Sequence, residues 1–105
     1  MSSPDSFSVR SEQNNATVRL MLAGELDIAT VPDFEQSFDE AVGLAPEAIV
    51  VDLSALTFID STGLRALLSM SDRYKGDLGL TAGSPAVERI IEITGTRAQL
   101  PLLEG

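Results

Sequence analysis

Asp60-Ser61-Thr62-Gly63 sets two hydroxyls behind a carboxylate, where an apolar run gives way to an amphipathic segment. Asp60 or Ser61 can N-cap that segment, since a short side-chain oxygen there accepts one of the helix's unpaired N–H groups. The hydroxyls then sit at the positive end of the helix dipole, so a phosphate on Ser61 or Thr62 would be electrostatically favoured. The same residues also read as an ordinary helix cap with no further role. Asp52 and Asp60 together offer acid–base or magnesium chemistry. In a chain with 16 acidic residues, however, scattered carboxylates are more often solvated surface.

Other chemistries are closed off by what is missing. With no His and no Cys there is no Ser-His-Asp triad, no thiol nucleophile, no disulfide and no ordinary zinc or haem site. Lys75 is the one lysine, and no Gly-Lys-Ser/Thr follows a glycine loop, which excludes a P-loop. No cofactor or metal is implied, and a non-enzymatic role is expected. The net charge of -9 repels nucleic-acid phosphates. Between Arg19 and Arg65 there is no basic residue, while Glu25, Asp27, Asp33, Glu35, Asp39, Glu40, Glu47, Asp52 and Asp60 fill the gap. That distribution serves solubility or steers the chain toward a basic partner.

A chain of 105 residues supports one core and one domain. Residues 1–6 read as a flexible tail and 7–105 as the domain. No run is long enough for a membrane span, and Met1-Ser2-Ser3-Pro4-Asp5 lacks the basic and apolar regions of a signal peptide. A cytoplasmic protein with no membrane partner is expected, and a monomer.

Positioning the hydroxyls falls to alternating strands and helices. Val18, Leu20 and Leu22 face one way and Arg19 and Met21 the other, a half-buried strand over Thr17 to Ala23. Phe7 and Val9 begin its hairpin partner, with Ser11-Glu12-Gln13-Asn14-Asn15 as the turn. Ala48 to Leu53 reads as a central strand, followed by a short connection to Phe58-Ile59. Leu78 to Ala82 is a shorter strand, and a last one is possible near Leu100 to Leu103. The first helix has Thr30 as cap, Pro32 in its first turn and Gly43 at its end, burying Phe34, Phe38 and Ala41 or Val42. The second runs from about Ser61 to Tyr74, stops at Gly76 and buries Leu64, Leu67 and Leu68. Ser84 caps the third, with Pro85 first and Gly95 past the end, and Val87, Ile90 and Ile91 form its stripe. The order implies an α/β fold, a small mixed sheet with right-handed crossovers that place the helices mainly on one face.

Val51 to Ala66, VDLSALTFIDSTGLRA, resembles the signature of the STAS family in its anti-anti-sigma (anti-sigma factor antagonist) branch. Gly24-Glu25-Leu26-Asp27 is similar to the family's GELD turn, and Ser84-Pro85-Ala86-Val87 with Ile93-Thr94-Gly95 to its SPAV…TG helix. The three blocks occur in family order and cover Val18 to Gly95. The resemblance implies a STAS fold and a binding switch. Its partner would be an anti-sigma factor with an ATP-binding serine kinase fold, bound by the unphosphorylated domain so that a sigma factor is released. Ser61 would be the phosphoacceptor, framed by Asp60 and Thr62. Gly63 would permit close backbone approach, Asp27 would belong to the docking surface, and a serine phosphatase would reverse the modification. The alternative within the family is a non-switching STAS adaptor in a stressosome-like or lipid-transport complex. Two departures stand out. Thr96-Arg97 follows the TG where relatives carry an apolar residue and a further helix, and Arg65 stands where close relatives often have glycine.

Overall fold

Strand pairing starts from the buried alternation of Val18, Leu20 and Leu22. In the computed structural model, which describes residues 7–103, these lie on β2 (Thr17–Leu26), antiparallel to β1 (Ser8–Asn14) and parallel to β3 (Ala48–Ile59). The sheet order is β1-β2-β3-β4, with β4 (Asp77–Leu80) parallel to β3. Three helices intervene: α1 (Val31–Gly43), α2 (Ser61–Arg73) and α3 (Pro85–Thr94). The expected tail at 1–6 lies outside the described residues. Among those described, no helix is long and apolar enough to cross a membrane.

All three helices join one core with the sheet face that carries Val18, Leu20, Ile49, Val51 and Leu53. Phe34 and Phe38 from α1, Leu67 and Met70 from α2, and Val87 and Ile91 from α3 fill it. Each such large side chain contributes about 1.5–3 kcal/mol when fully buried. Arg19 and Asp52, register-shifted by one from the buried positions, stand on the opposite face and pair at 2.7 Å. Burial alone would raise the Asp52 carboxyl. The hydroxyl and amide of Ser54, the Arg19 guanidinium and the Thr81 hydroxyl all donate to it and hold it well below the usual carboxylate range.

Several boundaries differ from the sequence reading. The polar stretch Ser11 to Asn14 is strand, and the turn tightens around Asn15, whose φ of 57° suits asparagine. An edge strand needs no apolar side chains on its exposed positions, so composition concealed it. No connection separates Leu53 from Phe58. Strand β3 continues to Ile59 through two bulges, one extra residue between the pairs Met21↔Asp52 and Ala23↔Ala55, another between Gly24↔Leu56 and Glu25↔Phe58. Each bulge shifts the buried phase, so burial steps from Leu53 to Leu56 to Ile59 instead of every second residue.

At the end of α1, Leu44 is the cap and Ala45 takes the left-handed conformation (φ 52°), so Gly43 is helical and not the terminator. Ala41, not Val42, is buried. In α2 the core positions are Leu64, Ala66, Leu67 and Met70, with Leu68 only half-buried. The helix ends at Arg73, and Tyr74 turns away in extended conformation to meet Phe38 edge-on, ring centres 5.6 Å apart. On α3 the cap and terminator are as expected: Ser84 accepts from the Val87 N–H at 3.4 Å, and Gly95 is left-handed. Strand β4 begins at Asp77 and its pairing extends to Thr81, which donates to the Val51 carbonyl. The possible final strand is reduced to a single parallel bridge, Leu80↔Leu102, after a 3-10 turn at Arg97–Gln99. Arg97 pairs with Glu88 at 2.8 Å, tying this segment back to α3.

Candidate functional site

Because β2 and β3 are parallel neighbours, the loops that leave their C-terminal ends must emerge side by side. The last paired residues are Leu26↔Ile59, so Asp27 and Asp60 follow directly from adjacent strands. The Asp60 N–H donates to the Leu26 carbonyl at 3.2 Å and carries the contact one residue beyond the ladder. Asp27 and the Asp60-Ser61-Thr62-Gly63 stretch therefore emerge side by side at the C-terminal ends of these two strands.

Asp60 is the N-cap of α2. Its Oδ1 accepts the Gly63 N–H at 2.8 Å, while its backbone is extended as a cap requires. This decides between the two cap candidates and makes Ser61 the first helical residue. Ser61 is exposed and Thr62 half-exposed. Neither hydroxyl makes a hydrogen bond to another described residue. At the first two helical positions the backbone N–H groups have no intrahelical acceptor and point outward. Two free hydroxyls and an anion-favouring backbone thus share one surface.

Gly63 is buried for a specific reason. A Cβ there would overlap the Leu26 carbonyl oxygen and press Ile59 Cγ1 at 2.9 Å. Without a side chain, the first turn of α2 sits directly on the end of β2. The close approach is made within the molecule.

Asp27 holds its own loop. Its Oδ1 accepts the N–H groups of Ala29 (3.0 Å) and Thr30 (3.1 Å). Thr30 is the cap position of α1 but makes no side-chain bond to that helix. Its hydroxyl instead donates to the Glu25 carbonyl at 2.8 Å and accepts the Asp27 N–H at 2.9 Å. The expected cap is thereby corrected: Thr30 closes the loop on itself, and Asp27 supplies the acceptor. Across the strands, Thr57 donates to the Gly24 carbonyl at 3.0 Å, and Gly24 has the positive φ (93°) that its type allows.

Two apolar side chains also stand open here, Ile28 at 73% and Phe58 at 44% exposure. The sequence reading missed both. Phe58 lies at an outward phase set by the second bulge, which no periodicity reveals, and Ile28 sits in a four-residue loop without any pattern.

Asp52 does not join this site. Asp52 pairs with Met21 and Ile59 with Leu26, five strand steps of about 3.3 Å apart, so Asp52 lies on the order of 15–20 Å from Asp60 and the two carboxylates form no acid–base pair. Among the described residues no cluster of three or more acidic side chains is arranged to hold a metal. A groove of about 730 Å³ lined by Tyr74, Gly76, Asp77 and Pro101 opens at the other end of the sheet, where β4 begins.

Residues 8–103 match the STAS domain. The chain belongs to the STAS family. The anti-sigma-F factor antagonist RsfB of Mycobacterium tuberculosis is 34% identical over 97 residues, which cover 90% of this chain and 80% of RsfB. The anti-sigma-B factor antagonist of Staphylococcus aureus (strain NCTC 8325 / PS 47) is 30% identical over 80% of this chain and 81% of its own. Among solved structures, an anti-sigma factor antagonist from Mycobacterium paratuberculosis superposes with a TM-score of 0.85 at 33% identity, covering all of this chain and 92% of the other. The STAS fold, its mixed sheet and the likeness to anti-sigma factor antagonists agree with the sequence reading.

Proposed function

We propose that this STAS protein is an anti-sigma factor antagonist that works as a phosphorylation-controlled binding switch. Relatives of that name at 30–34% identity over most of the chain support the general role. The observation that favours a switch is Ser61: an exposed hydroxyl at the first position of a capped 13-residue helix, beside Asp60 and Asp27. In the unmodified state this edge binds an anti-sigma factor with an ATP-binding serine kinase fold, and a sigma factor is released. The kinase transfers phosphate to Ser61, the complex dissociates, and a serine phosphatase restores binding. The domain supplies the acceptor and the docking surface and catalyses nothing itself.

Incubation with a candidate anti-sigma kinase and ATP, followed by intact-mass measurement and peptide mapping, tests the reading. One phosphate at Ser61, absent in Ser61→Ala, is expected. Stable binding of the anti-sigma factor with no modification of Ser61 would leave a non-switching adaptor instead.

A further inference from the structure

The described ion pairs are Arg19–Asp52 and Arg97–Glu88. Arg65 has neither a carboxylate partner nor a hydrogen bond among the described residues, and it is exposed on α2. Its neighbours on the helix face are Ser61 and Thr62 before it and Leu68 and Ser69 after it, none of them acidic. Residues four apart share a helix face, with Cβ atoms about 5–6 Å apart, within easy reach of an arginine. The chain otherwise has no basic residue from Glu25 to Asp60, on either of the loops that form this edge.

We propose that Arg65 is the built-in counter-ion of a phosphate on Ser61, a specificity-determining residue that sets the charge presented by the modified state. The assignment rests on Ser61 being the phosphoacceptor. A phosphoserine offers oxygens that a planar guanidinium binds through two parallel N–H groups. Arg65 then opposes the repulsion of Asp60 on the same turn and of Asp27 and Glu25 on the neighbouring strand end. Asp60 is itself engaged with the Gly63 N–H, and Asp27 with those of Ala29 and Thr30. Arg65, four residues after Ser61 and unpaired among the described residues, is thus free to turn toward the phosphate. A partner or phosphatase that engages the phosphate must displace it.

The test uses the full chain with phosphoserine installed at position 61 during synthesis, as wild type, Arg65→Gln and Arg65→Lys, each checked by circular dichroism. Titration of the phosphate by ³¹P NMR at low salt reads the pairing directly. A nearby cation favours the dianion, so near pH 6 the dianion-to-monoanion ratio should fall about twofold in Arg65→Gln. Arg65→Lys should recover most of that ratio, and about 1 M salt should erase the difference. Superimposable titrations of wild type and Arg65→Gln at low salt would overturn the assignment. Since no kinase is used, failure of a kinase to modify Ser61 is a separate result, which bears on the switch and not on this pairing.

Discussion

The carbonyl oxygen of Leu26 occupies the space that a side chain on Gly63 would need. The same oxygen accepts the Asp60 N–H, so one backbone atom of β2 fixes both the cap and the first turn of α2. Gly63→Ala must push the helix away from the strand end, an overpacking strain of about 1–3 kcal/mol. Gly43→Ala is the control: nothing lies within 4 Å of its Cβ, and its φ is ordinary. There the added methyl favours the helix by about 0.4–1 kcal/mol. Urea midpoints should therefore move in opposite directions for the two glycines, and partner affinity should fall only for Gly63→Ala.

Asp27 has a structural task that separates from any docking role. Asp27→Asn keeps an oxygen to accept the Ala29 and Thr30 N–H groups, so stability should change by no more than about 0.5 kcal/mol. Asp27→Ala leaves the Ala29 N–H without its acceptor, leaves the Thr30 N–H only the Asp27 carbonyl at 3.1 Å, and should cost about 1–2 kcal/mol. If the charge itself meets the partner, the Asn variant should bind at least about tenfold more weakly while melting normally. Normal affinity in Asp27→Asn, with loss only in Asp27→Ala, would assign Asp27 to the loop alone.

The Asp52 network makes a pH prediction. The folded carboxyl lies below its unfolded value of about 3.9, so its stabilisation is complete above that value and is lost as pH falls toward the folded one. Asp52→Asn removes the ionised acceptor of Arg19, Ser54 and Thr81. At pH 7 the variant should be less stable by about 2 kcal/mol, since hydrogen bonds to charged groups contribute about 1.5–3 kcal/mol each before rearrangement. The gap between wild type and variant should narrow steadily below about pH 4 in chemical denaturation. A gap that stays constant from neutral to acid pH would show that packing, not ionisation, is responsible.

The parts of this fold visible in the sequence were those with side-chain punctuation. Ser84-Pro85 and Gly95 bracket α3 because cap, proline and left-handed glycine each leave a chemical mark. The Asp60-Ser61 junction was visible too, but both residues can cap, and only the backbone geometry makes Asp60 the acceptor. The bulges of β3 left no mark, since an extra residue changes the burial phase without changing composition. Nor can the role of Leu26 be read from its side chain, because it acts through its carbonyl. Gly43 misled for the opposite reason: a glycine stands near the helix end, while the left-handed residue is Ala45.

Phosphate on Ser61 should break the partner complex without unfolding the domain. A phosphoserine adds about -1.5 to -2 charge at neutral pH, next to Asp60 and on the edge that carries Asp27. Within the domain the charge meets the N-terminus of α2, an interaction of about 0.3–1 kcal/mol, rising to about 2 in partly buried geometry. The cap bond from Gly63 to Asp60 does not involve the Ser61 hydroxyl, so modification leaves it in place. Ile28 and Phe58 offer apolar area at the same edge, and a partner that covers them excludes water from Ser61 as well. There an unmodified hydroxyl is easily accommodated, whereas a phosphate brings bulk and a desolvation penalty that the single charge of Arg65 offsets only in part. A penalty of about 3 kcal/mol weakens binding more than a hundredfold. Ser61→Ala should bind constitutively and resist the kinase. Ser61→Asp, with less charge and bulk, should bind more weakly than wild type but keep a native circular dichroism spectrum. Calorimetry of stoichiometrically phosphorylated and unmodified protein against the same anti-sigma factor decides the matter: equal affinities would eliminate the switch.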